Sequence, residues 1–384
     1  MAQLNFRNSR KETQKTRYRD SVLKSADYKN ENYFYECESC SQTCVHRLNK
    51  IQKCDLSIKS KPQTHFWDPI PKATTIGYDS WSQFTAIALF SYIFFIPLAY
   101  FPFLFTPFWF PAVLYVIWIS VSKTAFLNGR FNRKLRNSYV FKEFAKYFSA
   151  KLICEEPLDE TKNYLFSYSP HGLIALGAFL TFGTNGTDFE RHYKRPVHLL
   201  TIDLNFYFPI VREFLMSLGL MSCSKKTMQH NLKNNTSLAI VLGGAAEVQF
   251  LDDPNDYNVI VDKRYGFFKL AIQNGVDIVP VFTFGENGVH DVTQIKNPML
   301  KSIQQYIKKK FGFLPILFSG SFGLLPHRVP LTTVLGRPIS VDKILNPTPR
   351  HVKSLQTLYK EELTRIFQKY QPIYGKEIKS LNFV

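Results

Sequence analysis

A chain of 384 residues with 45% hydrophobic and 20% charged side chains has enough apolar material for a sizeable core, which excludes an intrinsically disordered protein. Its 48 Lys and Arg against 30 Asp and Glu leave a net charge of +18, suited to phospholipid headgroups or a phosphate-bearing cofactor. Nucleic acid is set aside as a partner, because the basic residues are scattered and no recognised binding signature occurs.

Residues 1–80 read as a polar, basic, cytosolic arm short of periodic apolar positions. Four of the six cysteines crowd into it, in "CESCSQTCVHRLNKIQKC". The Cys-x-x-Cys spacing suits two ligands on one metal, so Cys37, Cys40, Cys44 and Cys54 could form a structural zinc site, with His46 as an alternative ligand. A reduced arm, or one carrying palmitate beside a membrane, is the other open reading. The N-terminus has no secretory-signal pattern, which argues against a disulfide framework.

Residues 81–122 change character entirely. From Phe84 to Ser122 there is no charged side chain, over a length greater than the roughly 20 residues one helix needs to cross a bilayer. Pro97, Pro102, Pro107 and Pro111 interrupt the run. The pattern predicts a helical hairpin in a membrane, either two short spans or a wedge. Lys72 before it and Lys123, Arg130, Arg133, Lys134 and Arg136 after it place both flanks in the cytosol. A buried pair of core helices is the alternative.

Residues 123–384 form the third region. "VFKEFAKYF" is a basic amphipathic stretch predicted to lie along the membrane interface. Apolar runs follow as strands, in "NYLFSY", "VHLLTI", "SLAIVLGG" and "DIVPVFTFG", while "TNGT" and "LDDPNDYNV" read as a turn and a loop. "YGFFKLAIQNG" reads as a helix that Asn274 and Gly275 terminate. Alternating strands and helices predict an α/β fold with a mostly parallel sheet and crossover helices.

In such a sheet, ligands bind beyond the carboxyl ends of the strands. "YSPHG" puts His171 there, with Pro170 fixing its approach and Gly172 leaving room beside the ring. A neutral imidazole can take a proton from an attacking hydroxyl near neutral pH, which makes His171 a candidate general base. "AIVLGGAAE" sets Gly243 and Gly244 before the acid Glu247, and a second acidic turn follows at Glu286. Amides at such glycines could hold a phosphate or an oxyanion.

Together "SPHG", "GLIALGAF", "VREFLMSLGL", "LGGAAE", "KRYGFFKLAIQNGVDIVPVFTFGEN" and "LPHRVPLTTVLGRPI" resemble the type-2 diacylglycerol acyltransferase family, which includes monoacylglycerol and wax-alcohol acyltransferases. The resemblance runs from the hydrophobic segment to the C-terminus and leaves out the cysteine-bearing arm. It implies a fold similar to the glycerolipid acyltransferases, and an enzyme that esterifies diacylglycerol with acyl-CoA to give triacylglycerol. It further implies residence in the endoplasmic reticulum membrane, association with lipid droplets, and a cytosolic catalytic domain. Acyl-CoA is then a co-substrate and no cofactor is required; a homo-oligomer stays open.

One departure stands out: the family's His-Pro-His-Gly is Ser169-Pro170-His171-Gly172 here, so the resemblance carries catalysis to His171 alone. Where glycerolipid acyltransferases place an Asp after four intervening residues this chain has Leu176, so the ring's orienting acid is expected elsewhere, at Glu247 or, second, Glu286. Substrate contacts are expected from Ser169, Pro170, Gly172, Gly243 and Gly244. The anionic CoA is expected to meet Arg212, Lys263, Arg264, Lys269 and Arg328. Three alternatives remain: a monoacylglycerol acceptor, a long-chain alcohol acceptor, and a non-enzymatic lipid-binding scaffold.

Overall fold

The computed structural model describes residues 81–92, 100–122, 129–251, 253, 255–293, 295, 297–311, 314–321 and 323–384, and the backbone of two short strands near the N-terminus. The chain divides into two units, Met1–Pro69 and Ile70–Val384. In the first, strand β1 (Phe34–Glu36) pairs antiparallel with β2 (Thr43–Val45). The side chains of Cys37, Cys40, Cys44 and Cys54, and with them the zinc site, lie outside the described residues.

The second unit opens with helices α1 (Trp81–Tyr92), α2 (Trp109–Val121), α3 (Arg133–Arg136) and α4 (Tyr139–Tyr147), then strands β3 (Lys151–Cys154) and β4 (Tyr164–Ser169). Helix α5 (Leu176–Ala178) continues as a π-helical turn, Phe179–Gly183, before β5 (Val197–Thr201), α6 (Val211–Ser217), β6 (Met221–Ser222), α7 (Lys225–Lys233) and β7 (Ser237–Val241). A 3-10 turn, Gly244–Phe250, leads to β8 (Asp256–Val259), α8 (Tyr265–Asn274), β9 (Asp277–Phe284), β10 (Asp291–Thr293), α9 (Pro298–Phe311) and β11 (Leu317–Ser319). β12 (Thr332–Leu335), α10 (Pro349–Tyr374) and β13 (Ser380–Phe383) complete it.

Seven strands form the main sheet in the order β3-β12-β9-β4-β7-β5-β6. β9, β4, β7, β5 and β6 run parallel, whereas β12 is antiparallel to β9 and parallel to β3. The expected α/β class with a largely parallel sheet is what the chain adopts. All six residues of β4 are buried, as a strand covered on both faces requires. Phe166 and Tyr168 join one core with α1, α4 and α5; Leu165 joins the other with α7, α8 and α10. Helix α8 stops at Gly275, whose φ of +63° is the left-handed conformation that glycine adopts without a Cβ penalty.

Tertiary packing bears on several local expectations, and residues 93–99 at the centre of the hairpin read over 81–122 lie outside the described residues. Helix α1, read as half of a membrane hairpin, buries Ala86 and Ile87, and Phe90 sits 4.8 Å from the rings of both Phe144 and Phe179. Helix α2 instead exposes Trp109, Phe110, Leu114, Ile117 and Val121. No described helix is long and apolar enough to cross a membrane. Helix α4, read as lying along an interface, turns Phe141, Phe144 and Tyr147 into the core, and the buried Glu143 accepts from Ser82 and Lys146.

Arg136, counted among the flanking charges, is 2% exposed. It donates to the carbonyls of Phe182 (2.7 Å) and Leu218 (3.0 Å), and its guanidinium lies over Phe131. It joins three chain segments and does not face headgroups. The segment read as the loop "LDDPNDYNV" contains β8, which pairs with β13 and buries Tyr257 and Val259. Its partner lies more than a hundred residues onward, beyond the reach of a local pattern.

Candidate active site

The carboxyl ends of three neighbouring parallel strands converge. β4 is flanked by β9 and β7, so the chain emerges from them side by side at Ser169, Phe284 and Val241. His171 follows the first, Glu286 the second and Glu247 the third. The candidate site therefore lies where an open parallel sheet puts its ligands.

His171 is half-buried, and its Nδ1 lies 3.0 Å from the Gly172 carbonyl oxygen. A carbonyl can only accept, so Nδ1 holds the proton and the lone pair of the neutral ring is on Nε2. Burial pushes the imidazole below its usual pKa, the Gly172 hydrogen bond opposes this, and the Arg264 charge adds to the lowering. Near neutral pH the ring is thus uncharged, with Nε2 able to take a proton.

The two carboxylates hold the turn and not the ring. Glu247 is buried; Oε2 accepts from the His171 backbone N–H (2.8 Å) and Oε1 from that of Ile260 (2.8 Å). Glu286, also buried, accepts from the backbone N–H groups of Leu176 (2.6 Å) and Gly177 (2.9 Å) and from the Tyr168 hydroxyl (2.6 Å). Among the described residues the ring's hydrogen-bond partner is the Gly172 carbonyl, so the expectation that Glu247 or Glu286 orients the imidazole is corrected. Leu176, standing where an acid would be in glycerolipid acyltransferases, contributes its backbone to Glu286. Burial raises both carboxyls to about 7, against the lowering effect of their N–H and O–H donors.

The glycines follow from these carboxylates. A Cβ on Gly172, at φ +55°, would lie 2.7 Å from Glu286 Cγ. One on Gly243 would overlap the Glu247 carboxyl, and one on Gly177 the Tyr168 hydroxyl. Gly244 differs: at φ +59° a Cβ would meet only the Arg264 guanidinium, at 3.8 Å, so this corner of the turn is open. Ser169 and Pro170, joined by a cis peptide bond, are buried under the turn, as is Gly172.

The basic residues sort sharply. Arg264 is half-buried, donates to the Gly243 carbonyl and is felt electrostatically by both His171 and Glu247. Exposed Lys263 and half-buried Lys308 add positive charge beside it, and burial, with the Arg264 and Lys263 charges, lowers the Lys308 ammonium. Lys308, which donates to Gln249 (3.3 Å), was missed in the sequence because its helix is remote from every motif. Lys269 is half-buried on α8, outside the contacts of the turn.

Arg212 is not at a CoA entrance. It is 1% exposed, donates to Ser122 Oγ (3.1 Å) and Glu213 (2.9 Å), and lies 4.5 Å from the Trp118 ring centre. It ties α6 to the end of α2. The Arg328 guanidinium lies 5.8 Å from the Tyr147 ring centre. Its neighbour His327 links Asp291 (2.8 Å) to Ser321 (3.1 Å).

The family model for diacylglycerol acyltransferase matches residues 101–383, nearly three-quarters of the chain. The chain belongs to the diacylglycerol acyltransferase family. It is 40% identical over 292 residues to diacylglycerol O-acyltransferase 2A of Umbelopsis ramanniana, spanning 72% of this chain and 82% of that one. It is 36% identical over 281 residues to diacylglycerol O-acyltransferase 2 of Homo sapiens, spanning 70% and 72%. A 1-acyl-sn-glycerophosphate acyltransferase from Thermotoga maritima is a distant structural likeness, with TM-score 0.37 and 14% identity over 72% of this chain and 96% of that one. For a diacylglycerol acyltransferase-family chain, the His171 turn and its two carboxylates fall wholly within the matched region.

Proposed function

We infer that this chain is a diacylglycerol O-acyltransferase, an enzyme that moves the acyl group of acyl-CoA onto the free hydroxyl of diacylglycerol to form triacylglycerol. The observation that carries the mechanism is the 3.0 Å approach of His171 Nδ1 to the Gly172 carbonyl oxygen, which assigns the proton to Nδ1 and leaves Nε2 as acceptor. As the hydroxyl oxygen attacks the thioester carbonyl, Nε2 removes its proton. The tetrahedral intermediate then collapses, the C–S bond breaks, and the imidazolium returns the proton to the CoA thiolate. General-base assistance supplies about two to four orders of magnitude. The remainder comes from juxtaposing the reactants and from charge stabilisation at the oxyanion, for which the open Gly243–Gly244 corner and Arg264 are the proposed sources. Lys263, Arg264 and Lys308 supply the positive charge for the phosphates of CoA.

We further propose that the uncharged stretch from Phe84 to Ser122, with the exposed face of α2, holds the enzyme on the endoplasmic reticulum membrane and on lipid droplets, where its acceptor is dissolved. Its catalytic unit faces the cytosol, where acyl-CoA is available. The test is product analysis: purified full-length chain receives labelled acyl-CoA with diacylglycerol, monoacylglycerol or a long-chain alcohol. Triacylglycerol from the parent but not from His171→Ala is the expected result. Ester formed only on one of the other acceptors replaces the acceptor, and ester formed on none replaces the enzyme by a scaffold.

A further inference from the structure

Between β9 and β12 the chain leaves the main sheet, β10 and β11 pair antiparallel, and α9 lies between them. Gln304 on α9 donates to the Pro315 carbonyl (2.6 Å), fastening helix to hairpin. Leu314, with Ile316 and Val292, packs on Val248, Leu251 and Leu173. Leu173 is two residues beyond His171 and Val248 adjoins Glu247, so this excursion roofs the turn described above.

The outer side of the roof is apolar and bare. Met299, Ile303 and Tyr306 recur at spacings of four and three and so share one face of α9; they are 72%, 45% and 62% exposed. Leu317 on β11 is 65% exposed. Such a stripe in water calls for a partner. The charge pattern says which: α9 carries Lys301, Lys308, Lys309 and Lys310 and no acidic residue. The Lys310 ammonium lies 5.9 Å from the Tyr306 ring centre, the arrangement of a basic side chain reaching past an apolar body. An amphipathic helix with aromatic and aliphatic residues on one side and only lysines among its charges matches an anionic lipid surface.

We propose that α9 docks on a leaflet containing anionic phospholipid, which seats the roof of the His171 turn at the depth where a lipid acceptor is dissolved. The docking stands on the surface of α9; only the acceptor's identity rests on the acyltransferase reading. The experiment is hydrogen–deuterium exchange on the full-length chain in nanodiscs of phosphatidylcholine alone or with phosphatidylserine. Amides of residues 298–311 are expected to exchange about ten-fold more slowly in the anionic discs. Combined Lys301→Glu, Lys309→Glu and Lys310→Glu is expected to abolish that difference, whereas the charge-matched control Lys225→Glu, Lys226→Glu and Lys233→Glu on α7 keeps it. Equal exchange in the two discs overturns the proposal, as does a difference that survives charge reversal; cover by a second copy or another protein would appear as protection that ignores lipid charge. Triacylglycerol synthesis is measured separately in non-ionic detergent, so a failure of docking and a failure of the acyltransferase reading give different results.

Discussion

The turn after β4 and the excursion between β9 and β12 touch each other yet are built on opposite terms. In the turn nearly every group is buried and held: Glu247 grips the His171 amide, Glu286 grips those of Leu176 and Gly177, and three glycines make room for the carboxyls. On α9 only Gln304 is fully buried among residues 298–310, and the apolar face is open. A group that must be aimed is over-determined by its surroundings, whereas a surface that must meet a fluid partner is left without one.

The comparison breaks most sharply at His171. His171→Ala is expected to lower kcat by about two to four orders of magnitude, with the thermal midpoint nearly unchanged; a fall in stability of the same severity would make the ring a packing residue. Glu286→Ala comes next. It strands two buried N–H donors and the Tyr168 hydroxyl, at about 1–3 kcal/mol each, so the unfolding midpoint drops by several degrees and activity falls with it. Glu286→Gln, keeping one acceptor oxygen, recovers part of both.

Arg264 and Arg212 sharpen the contrast between site and scaffold. Arg264→Met is expected to raise KM for acyl-CoA about ten-fold and to lower kcat, with little change in stability, by loss of a charge-assisted contact to CoA and of positive charge beside the oxyanion. Arg212→Met should leave KM alone and lower the unfolding midpoint, because its partners are Ser122, Glu213 and Trp118.

A pH series reads the buried carboxyls. Glu247 and Glu286 stand at about 7 in the folded chain against an ordinary 4.5. Between those values the folded chain keeps protons that the unfolded chain has released, so the contribution of each to stability declines as pH rises from about 4.5 to about 7 and is level above it. Glu247→Gln is expected to flatten that decline relative to the parent in denaturant titrations across this window. The smallest effect is predicted on α9: Ile303→Ser should change unfolding stability in detergent by no more than about 0.5 kcal/mol, since the side chain has little protein to leave.

Much of this is legible in the sequence. The strand at "NYLFSY", the helix stop at Gly275 and the place of His171 beyond a strand end all follow from runs and turn residues close together in sequence. The misreadings share one cause. Arg136 and Arg212 looked like surface charges because the carbonyls and the ring that receive them lie far off in the chain, and Glu247 looked like the ring's partner because spacing cannot distinguish a side chain from the backbone of the same residue. The amphipathic face of α4 was real, but α1 covers it, and no local pattern says whether an apolar stripe meets lipid or protein.

By itself the sequence determined the α/β class, the family and the histidine, since each is written in contiguous residues whose propensities and motifs act over a few positions. Only the tertiary structure decided that β4 lies between β7 and β9, and hence that Glu247 and Glu286 close on one turn. Strand order is set by which apolar faces are buried together across long loops, and a carboxylate's role by the amide that this order brings within 3 Å of it.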